Sequence, residues 1–315
     1  MKEGRVNTEN STTEPRSKLS IWVQAVRAFS FTASMVPVIV GAVLALYYER
    51  TVKWELLPVI LVCSILFHAA TNLMSDYFDH AKGVDKDYTF GSSRVIQEGL
   101  LSPRSLLLGG WLLFGIATIL GLLLILVRGE TMFWIGVTGL IGGYAYTGKP
   151  IAYKYKALGD ILVFMLMGPL MVFGSYFALT GDASQTVIII SLPIGFLVTA
   201  ILHANNHRDI IHDAEAGART IAGLLGHTGS KFFYYFLILG AYSAIIYMVT
   251  DGILSRWSFI VFLSLIPAFK LIRTISSNGP GDTESIAMID VQTAQLHLLF
   301  GVLLILSLLI IVFTA

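Results

Sequence analysis

Nine apolar stretches divided by short polar breaks organise this chain. They fall near residues 30–48, 56–75, 105–127, 131–147, 158–180, 185–206, 231–250, 257–273 and 294–314. A helix needs roughly 20 apolar residues to cross the hydrocarbon core of a bilayer. The pattern therefore predicts an all-α, polytopic membrane protein with nine transmembrane helices. The first twenty residues are polar and carry no apolar segment of their own, so they read as a disordered cytosolic tail ahead of a single membrane domain over residues 21–315.

Composition agrees: 55% of the residues are hydrophobic and 13% are charged. The net charge of +1 says little about partners, and no nucleic-acid partner is expected. The placement of the charges is more informative, because cytoplasmic loops retain Lys and Arg. With the N-terminus inside, the outer loops hold only Arg50, Lys53, Arg128 and Arg256 of the 21 basic residues. This fixes an expected topology with a cytoplasmic N-terminus and an outside C-terminus, in a bacterial inner (cell) membrane. The single cysteine, Cys63, rules out an intrachain disulfide and reads as a small core residue. Gly139 and Gly143 have the spacing of a close helix contact, a weak signal in membrane helices.

Two acidic clusters stand where apolar stretches end. The first is Asn72-Leu-Met-Ser-Asp76-Tyr-Phe-Asp79, and the second is Asn205-Asn206-His207-Arg208-Asp209-Ile-Ile-His212-Asp213. A carboxylate left uncompensated in hydrocarbon costs several kcal/mol, so four of them at helix mouths call for a reason. The plain alternative is a set of solvated interfacial acids. Spacings of three and four residues place each pair on one helical face if the helix continues. Four spans lie between the clusters, so both fall on the cytoplasmic side. Facing carboxylate pairs with nearby cations outline a site in which Mg²⁺ bridges protein acids to a diphosphate.

The segment from Asp76 to Arg104 is long and polar, and such loops are often functional. Arg94 offers a planar donor fork suited to phosphate, whereas Lys82 and Lys86 are point charges, Lys86 being explained by topology alone. Between the fourth and fifth stretches, Tyr146, Tyr153 and Tyr155 alternate with Lys149, Lys154 and Lys156. An interfacial aromatic belt explains that composition as well as a cavity wall does. His203 and His207 are four apart without a metalloprotease glutamate, so together with His212 they are assigned a supporting role, hydrogen-bonding the aspartates.

With these motifs in hand, the chain resembles the UbiA superfamily of intramembrane prenyltransferases from about residue 20 to its end. Within it the chain looks most like the MenA branch, which prenylates 1,4-dihydroxy-2-naphthoate in menaquinone biosynthesis. The resemblance rests on Asn72 to Asp79 with Lys82, Gly83 and Asp85, on Tyr146-Thr147-Gly148 through Leu158-Gly159-Asp160, and on Asn205 through Asp213 with Ala216-Gly217 and Arg219-Thr220. Many members place Asn directly before the first Asp; here that position is Ser75, and Asn72 supplies the amide.

The resemblance implies helices around a central cavity, with Asp76, Asp79, Asp209 and Asp213 as catalytic and Mg²⁺-binding residues. It further implies a polyprenyl diphosphate and an aromatic acceptor as substrates, met by Asn72, Lys82, Arg94, Tyr146, Tyr153, Asn205, Arg208 and Arg219. Rival readings are another acceptor within the superfamily (4-hydroxybenzoate, homogentisate, chlorophyllide, haem or a glyceryl phosphate lipid), a secondary transporter, and a binding or regulatory relative. Clustering of the acids at one face argues against a midplane transport site. Asp76→Ala or Asp209→Ala is expected to abolish Mg²⁺-dependent prenyl transfer while the protein still inserts; substantial residual transfer would contradict the assignment.

Overall fold

The computed structural model describes residues 16–49, 51–85 and 91–314. Residues 1–15 of the expected tail, Arg50 and Lys86 lie outside them. The described chain is helical almost throughout: α1 (Lys18–Ala25), α2 (Thr32–Tyr48), α3 (Leu57–Lys82), α4 (Pro103–Arg128), α5 (Glu130–Ala145), α6 (Gly159–Met165), α7 (Met171–Thr180), α8 (Gln185–Arg208), α9 (Ile210–Glu215), α10 (Ile221–Thr250), α11 (Leu265–Ser277) and α12 (Ile289–Thr314). Ser17 caps α1 by accepting from Ser20 N at 3.2 Å, so the helical region already begins inside the predicted tail.

All nine apolar stretches appear as helix, and among the described residues eight of them are long and apolar enough to cross a bilayer by length and composition alone. The exception is α5. Its 16 residues reach roughly 24 Å at 1.5 Å per residue, short of a hydrocarbon core about 30 Å thick. Gly148 and Pro150 follow closely and prevent its extension.

Two boundaries differ in ways that matter for the site. α3 runs past the predicted residue 75 to Lys82, carrying Asp76 and Asp79 on one continuous helix. α8 instead stops at Arg208; Asp209 has non-helical backbone, and α9 restarts at Ile210. α10 also begins ten residues earlier than its apolar pattern. Thr220 caps it, and Gly226, at φ +65°, interrupts it before the long apolar part.

α3 packs chiefly on α4, α8 on α10 and α12, and α2 on α7 and α12. Leu108, Leu112, Ile119 and Leu126 leave one face of α4 apolar and exposed, as a lipid-facing helix requires. Close backbone approaches are made elsewhere than at Gly139 and Gly143, as at Gly41, where an added Cβ would overlap Val172 O. Gly139 has no neighbour within 4 Å of an added Cβ, and Gly143 meets only side chains, Thr71 and Phe114. At Gly168 an added Cβ would lie 2.5 Å from Gly195 Cα. This contact falls in a π-helical turn, Leu166–Leu170, that joins α6 to α7 around Pro169, a residue with no N–H to continue the ladder. Gly168→Val should therefore overpack the contact of this turn with α8 by about 1–3 kcal/mol and lower the melting temperature in detergent. Gly139→Ala should leave it unchanged; equal effects of the two would contradict this packing.

Candidate active site

The acidic motifs of the sequence converge on one point because three backbone devices turn them inward. α3 aligns Asn72, Asp76 and Asp79, and buries the two acids to 2% and 1% exposure. Gly83, at φ +76°, ends α3 and returns the chain so that Asp85 comes back toward the helix end. The segment after it lays Ser93 on Asp76, which accepts from Ser93 N at 3.2 Å and from its hydroxyl. The helix break at Asp209 then lets α9 present Asp213 one turn later. A Cβ on Gly91 would stand 2.9 Å from Asp209 Oδ2, so the first motif's loop lies directly against the second motif. Asp85, Asp209, Asp213 and Lys154 surround a small cavity of about 20 Å³. The two clusters are thus two walls of one site.

Burying so many carboxylates requires cations at contact distance. Arg27, held at φ +54°, pairs with Asp76. Lys154 Nζ lies 2.6 Å from Asp79 Oδ2, and Asp79 also accepts from Tyr155 OH at 2.7 Å and Ser75 Oγ at 2.9 Å. Burial alone would depress the Lys154 ammonium, yet Asp79 outweighs it and holds the pKa well above the lysine range. In the same way burial opposes Arg27 and Asp76 overrides it, leaving the guanidinium firmly charged. Burial first, then Asp79, raises the Tyr155 phenol. Two acids keep a deficit. Burial, followed by Asp79 and Asp76, pushes Asp85 up to about 8. Burial, followed by Asp209 and Asp79, pushes Asp213 up to about 7, against the lowering effect of Lys154.

These observations bear on a divalent cation. With the side chains as placed, no three His, Cys, Asp or Glu groups among the described residues already form a ligand cluster. The donor set nevertheless fits a hard oxygen-seeking ion: Asp85 Oδ2 is buried without a hydrogen-bond partner, and Asp85 and Asp213 both face the small cavity with raised pKa values.

Most of the predicted substrate residues line this site, but the arginines do not serve as expected. Asn72, Tyr146, Tyr153 and Asn205 line a larger cavity of about 460 Å³ that opens beside the acids and runs to Ile60, Leu124 and Met132 near the opposite end of the bundle. Tyr153 OH donates to Gly142 O at 2.9 Å, and its ring meets that of Tyr146 edge-on at 5.4 Å. Lys82 stands 3.8 Å over the Tyr155 ring at the edge of the site. Arg208, expected to grip substrate, is instead spent on the protein: its Nε and Nη2 hold both oxygens of Asp209 at 3.1 and 2.9 Å, and Nη1 reaches Asp290 Oδ1 at 3.1 Å. The structure makes it a buckle between α8 and α12. Arg94 lies on the rim, 3.7 Å from Glu98, outside the lining of both cavities. Arg219 has an exposed side chain, and its backbone bonds Tyr155 and Ala157, tying the α5–α6 loop to the second motif.

Arg27, Ser93, Lys154, Tyr155 and Asp290 also belong to the site, and Asp85 joins its acids, beyond the residues expected from the motifs. Lys154 and Tyr155 had a signal, since they sit in the Tyr/Lys alternation, but their register toward Asp79 depends on how the loop folds. Asp290, at the start of α12, had none. Two of the histidines have other partners than the motif aspartates: His203 Nδ1 lies 2.9 Å from Asp160 Oδ1, and His207 Nδ1 2.9 Å from Ser230 Oγ, while His212 lines the small acidic cavity.

Comparison with known proteins gives a consistent result. Residues 34–289 match the model of the UbiA prenyltransferase family. The chain is 33% identical over 293 residues to 1,4-dihydroxy-2-naphthoate octaprenyltransferase of Bacillus subtilis (strain 168), covering 92% of each. It is 31% identical to human UbiA prenyltransferase domain-containing protein 1, covering 91% of this chain and 82% of the relative. The fold is shared with a UbiA homolog from Archaeoglobus fulgidus bound to GPP and Mg²⁺, at TM-score 0.59, 16% identity, and coverage of 90% and 99%. It is also shared with a UbiA homolog from Aeropyrum pernix K1, at TM-score 0.64, 15% identity, and coverage of 90% and 98%.

Because Asp85 and Asp213 are protonated near neutrality without a cation and must lose those protons to ligate one, Mg²⁺ affinity should rise with pH. The rise is expected up to about pH 8, steepest below about pH 7 where both acids start protonated, and it should be accompanied by proton release. Activity titrated with Mg²⁺ at several pH values checks this, and an affinity that is flat or falling across that window would contradict it.

Proposed function

The chain belongs to the UbiA prenyltransferase family, and from that premise we propose that it transfers a polyprenyl group from an isoprenyl diphosphate to 1,4-dihydroxy-2-naphthoate. It is a prenyltransferase embedded in the membrane through its apolar helices. The observation that carries the fuller reading is the placement of two acidic walls at the mouth of one long apolar cavity. The acceptor follows the relative from Bacillus subtilis, whose identity extends over nearly the full length of both chains.

The residues fit the demands of prenyl transfer. Asp76, Asp79, Asp85, Asp209 and Asp213, with Asn72 beside them, would hold Mg²⁺. When bound, the metal supplies positive charge to the diphosphate oxygens as the bond to the allylic carbon lengthens. Lys154 and Arg27 are the chain's own cations at that spot. A diphosphate competes with Asp79 and Asp76 for them, and both stay charged in the low-dielectric site, where they stabilise the departing anion most. The Tyr146 ring faces the cavity next to Lys154, within reach of an allylic cation. Farther in, Leu124, Ile125, Met132 and Val163 accommodate an isoprenoid tail and exclude the water that would capture the cation.

The distribution of Lys and Arg supports a cytoplasmic N-terminus and a site open to the cytoplasm. The decisive experiment incubates the purified protein in detergent with Mg²⁺, an isoprenyl diphosphate and a panel of aromatic acceptors, with products identified by mass. A prenylated, decarboxylated naphthoquinol formed only with Mg²⁺ is expected. A product from 4-hydroxybenzoate alone would overturn the acceptor assignment.

A further inference from the structure

Farther into the cavity than the acids, the wall hydroxyls are mostly spent on the protein's own backbone. Ser64 donates to Leu61 O at 2.9 Å, Thr71 to Phe67 O at 2.9 Å, Thr118 to Phe114 O at 2.8 Å and Ser175 to Val38 O at 2.8 Å. One imidazole differs. His68 lies on α3 four residues before Asn72 and eight before Asp76, so the three share a helical face. Roughly 6 Å of helix axis separates His68 from Asn72, and roughly 12 Å separates it from Asp76. The ring is half-buried, lines the cavity, and is backed edge-on by Phe31 at 5.7 Å.

The hydrogen bonds around His68 define what it offers. Ser30 Oγ donates its only proton to Arg27 O at 2.8 Å, so it can only accept from its other neighbours. Those are Asn72 Nδ2 and His68 Nε2, both at 3.2 Å. His68 is therefore the Nε2–H tautomer, and its Nδ1 accepts from Ser34 Oγ at 2.8 Å. Ser34 is fully buried and fixes that tautomer. The Nε2–H bond to Ser30 is long, and both groups line the cavity, so without moving the ring this N–H can be shared with a further oxygen there while Ser30 keeps Asn72. A shareable donor, fixed in tautomer on the cavity wall one turn inward of Asn72, is what an oxygen substituent on a bound arene needs.

Building on the prenyl-transfer reading above, we infer that His68 Nε2–H receives a ring oxygen of the aromatic acceptor and so helps select hydroxylated arenes. On 1,4-dihydroxy-2-naphthoate that oxygen is the 4-hydroxyl, because the 1-hydroxyl is ortho to the carboxylate and bonds to it. Ser34 acts as a positioning residue through the imidazole. Selection against a ligand lacking the oxygen amounts to one hydrogen bond, about five- to tenfold in affinity.

The test compares dissociation constants of 1,4-dihydroxy-2-naphthoate and 1-hydroxy-2-naphthoate, which lacks the 4-hydroxyl, in wild type, His68→Phe and His68→Gln. An isoprenyl diphosphate is measured alongside as a control. Wild type is expected to prefer the dihydroxy ligand about five- to tenfold. His68→Phe should erase that preference while leaving isoprenyl diphosphate affinity unchanged, and His68→Gln, which retains an N–H donor, should keep part of it. Retention of the full preference in His68→Phe would overturn the inference, as would an equal loss for both naphthoates and the diphosphate. If His68→Phe does not purify as monodisperse protein, Ser34→Ala decides: a reduced preference supports the role, and an unchanged one overturns it. If wild type binds neither naphthoate but does bind 4-hydroxybenzoate, the acceptor reading fails. The same variants then test His68 on 4-hydroxybenzoate against benzoate, where an unchanged preference in His68→Phe overturns the inference.

Discussion

Compensation of buried carboxylate charge is the constraint on which the rest of this structure depends. Asp76, Asp79, Asp209 and Asp213 are all nearly removed from solvent at the ends of apolar helices. In such surroundings an unpaired carboxylate is untenable. The fold answers with cations drawn from three other parts of the chain: Arg27 ahead of α2, Lys154 in the α5–α6 loop, and Arg208 on α8 itself. Each pairing also fastens a segment. Arg27 draws the chain before α2 onto α3, Lys154 draws the α5–α6 loop onto α3, and Arg208 joins α8 to the start of α12 through Asp290. Electrostatic balance and closure of the bundle around its cavity are therefore the same set of contacts.

That coupling explains why the balance is incomplete. Asp85 and Asp213 remain short of positive charge next to a space of about 20 Å³. A site fully neutralised by its own side chains would have no affinity left for a cation or for the anion it brings. Under the proposed reaction Lys154 and Arg27 would do more than neutralise, since each is paired with an acid that an anionic leaving group would compete with. The short α5 belongs to the same economy of shape. By ending at Ala145 it leaves the Tyr146–Tyr155 segment to fold over the cavity mouth, where Tyr146 and Lys154 face inward and Tyr155 bonds Asp79.

Much of this was legible in the sequence, for identifiable reasons. Apolar runs locate membrane helices because the bilayer imposes length and composition on them, and the four motif aspartates stand out because acids are rare there. The joint position of the two clusters followed from an even number of spans between them. What was not legible depended on three-dimensional register. Nothing local distinguishes Arg208 as a buckle from Arg208 as a phosphate ligand; the difference is Asp290, about eighty residues away in sequence and brought alongside by α12. Arg94 looked apt because its neighbours are uncharged, yet its left-handed backbone at φ +63° leaves its side chain on the rim beside Glu98. α5 is only sixteen residues long, yet it runs from Met132 at the far end of the cavity to Tyr146 at its mouth, and so keeps the number of passes between the clusters even.

The central claim is that both acidic motifs act as one charge-balanced site. A double-mutant cycle tests it most directly: Asp79→Asn, Asp213→Asn and the combined variant, with affinity for isoprenyl diphosphate measured in the presence of Mg²⁺. One shared site predicts strong non-additivity, with the double variant at least about tenfold better than the product of the two single losses, a coupling of about 1.4 kcal/mol or more. Losses that simply multiply would mean that the two motifs work independently, and would contradict the account.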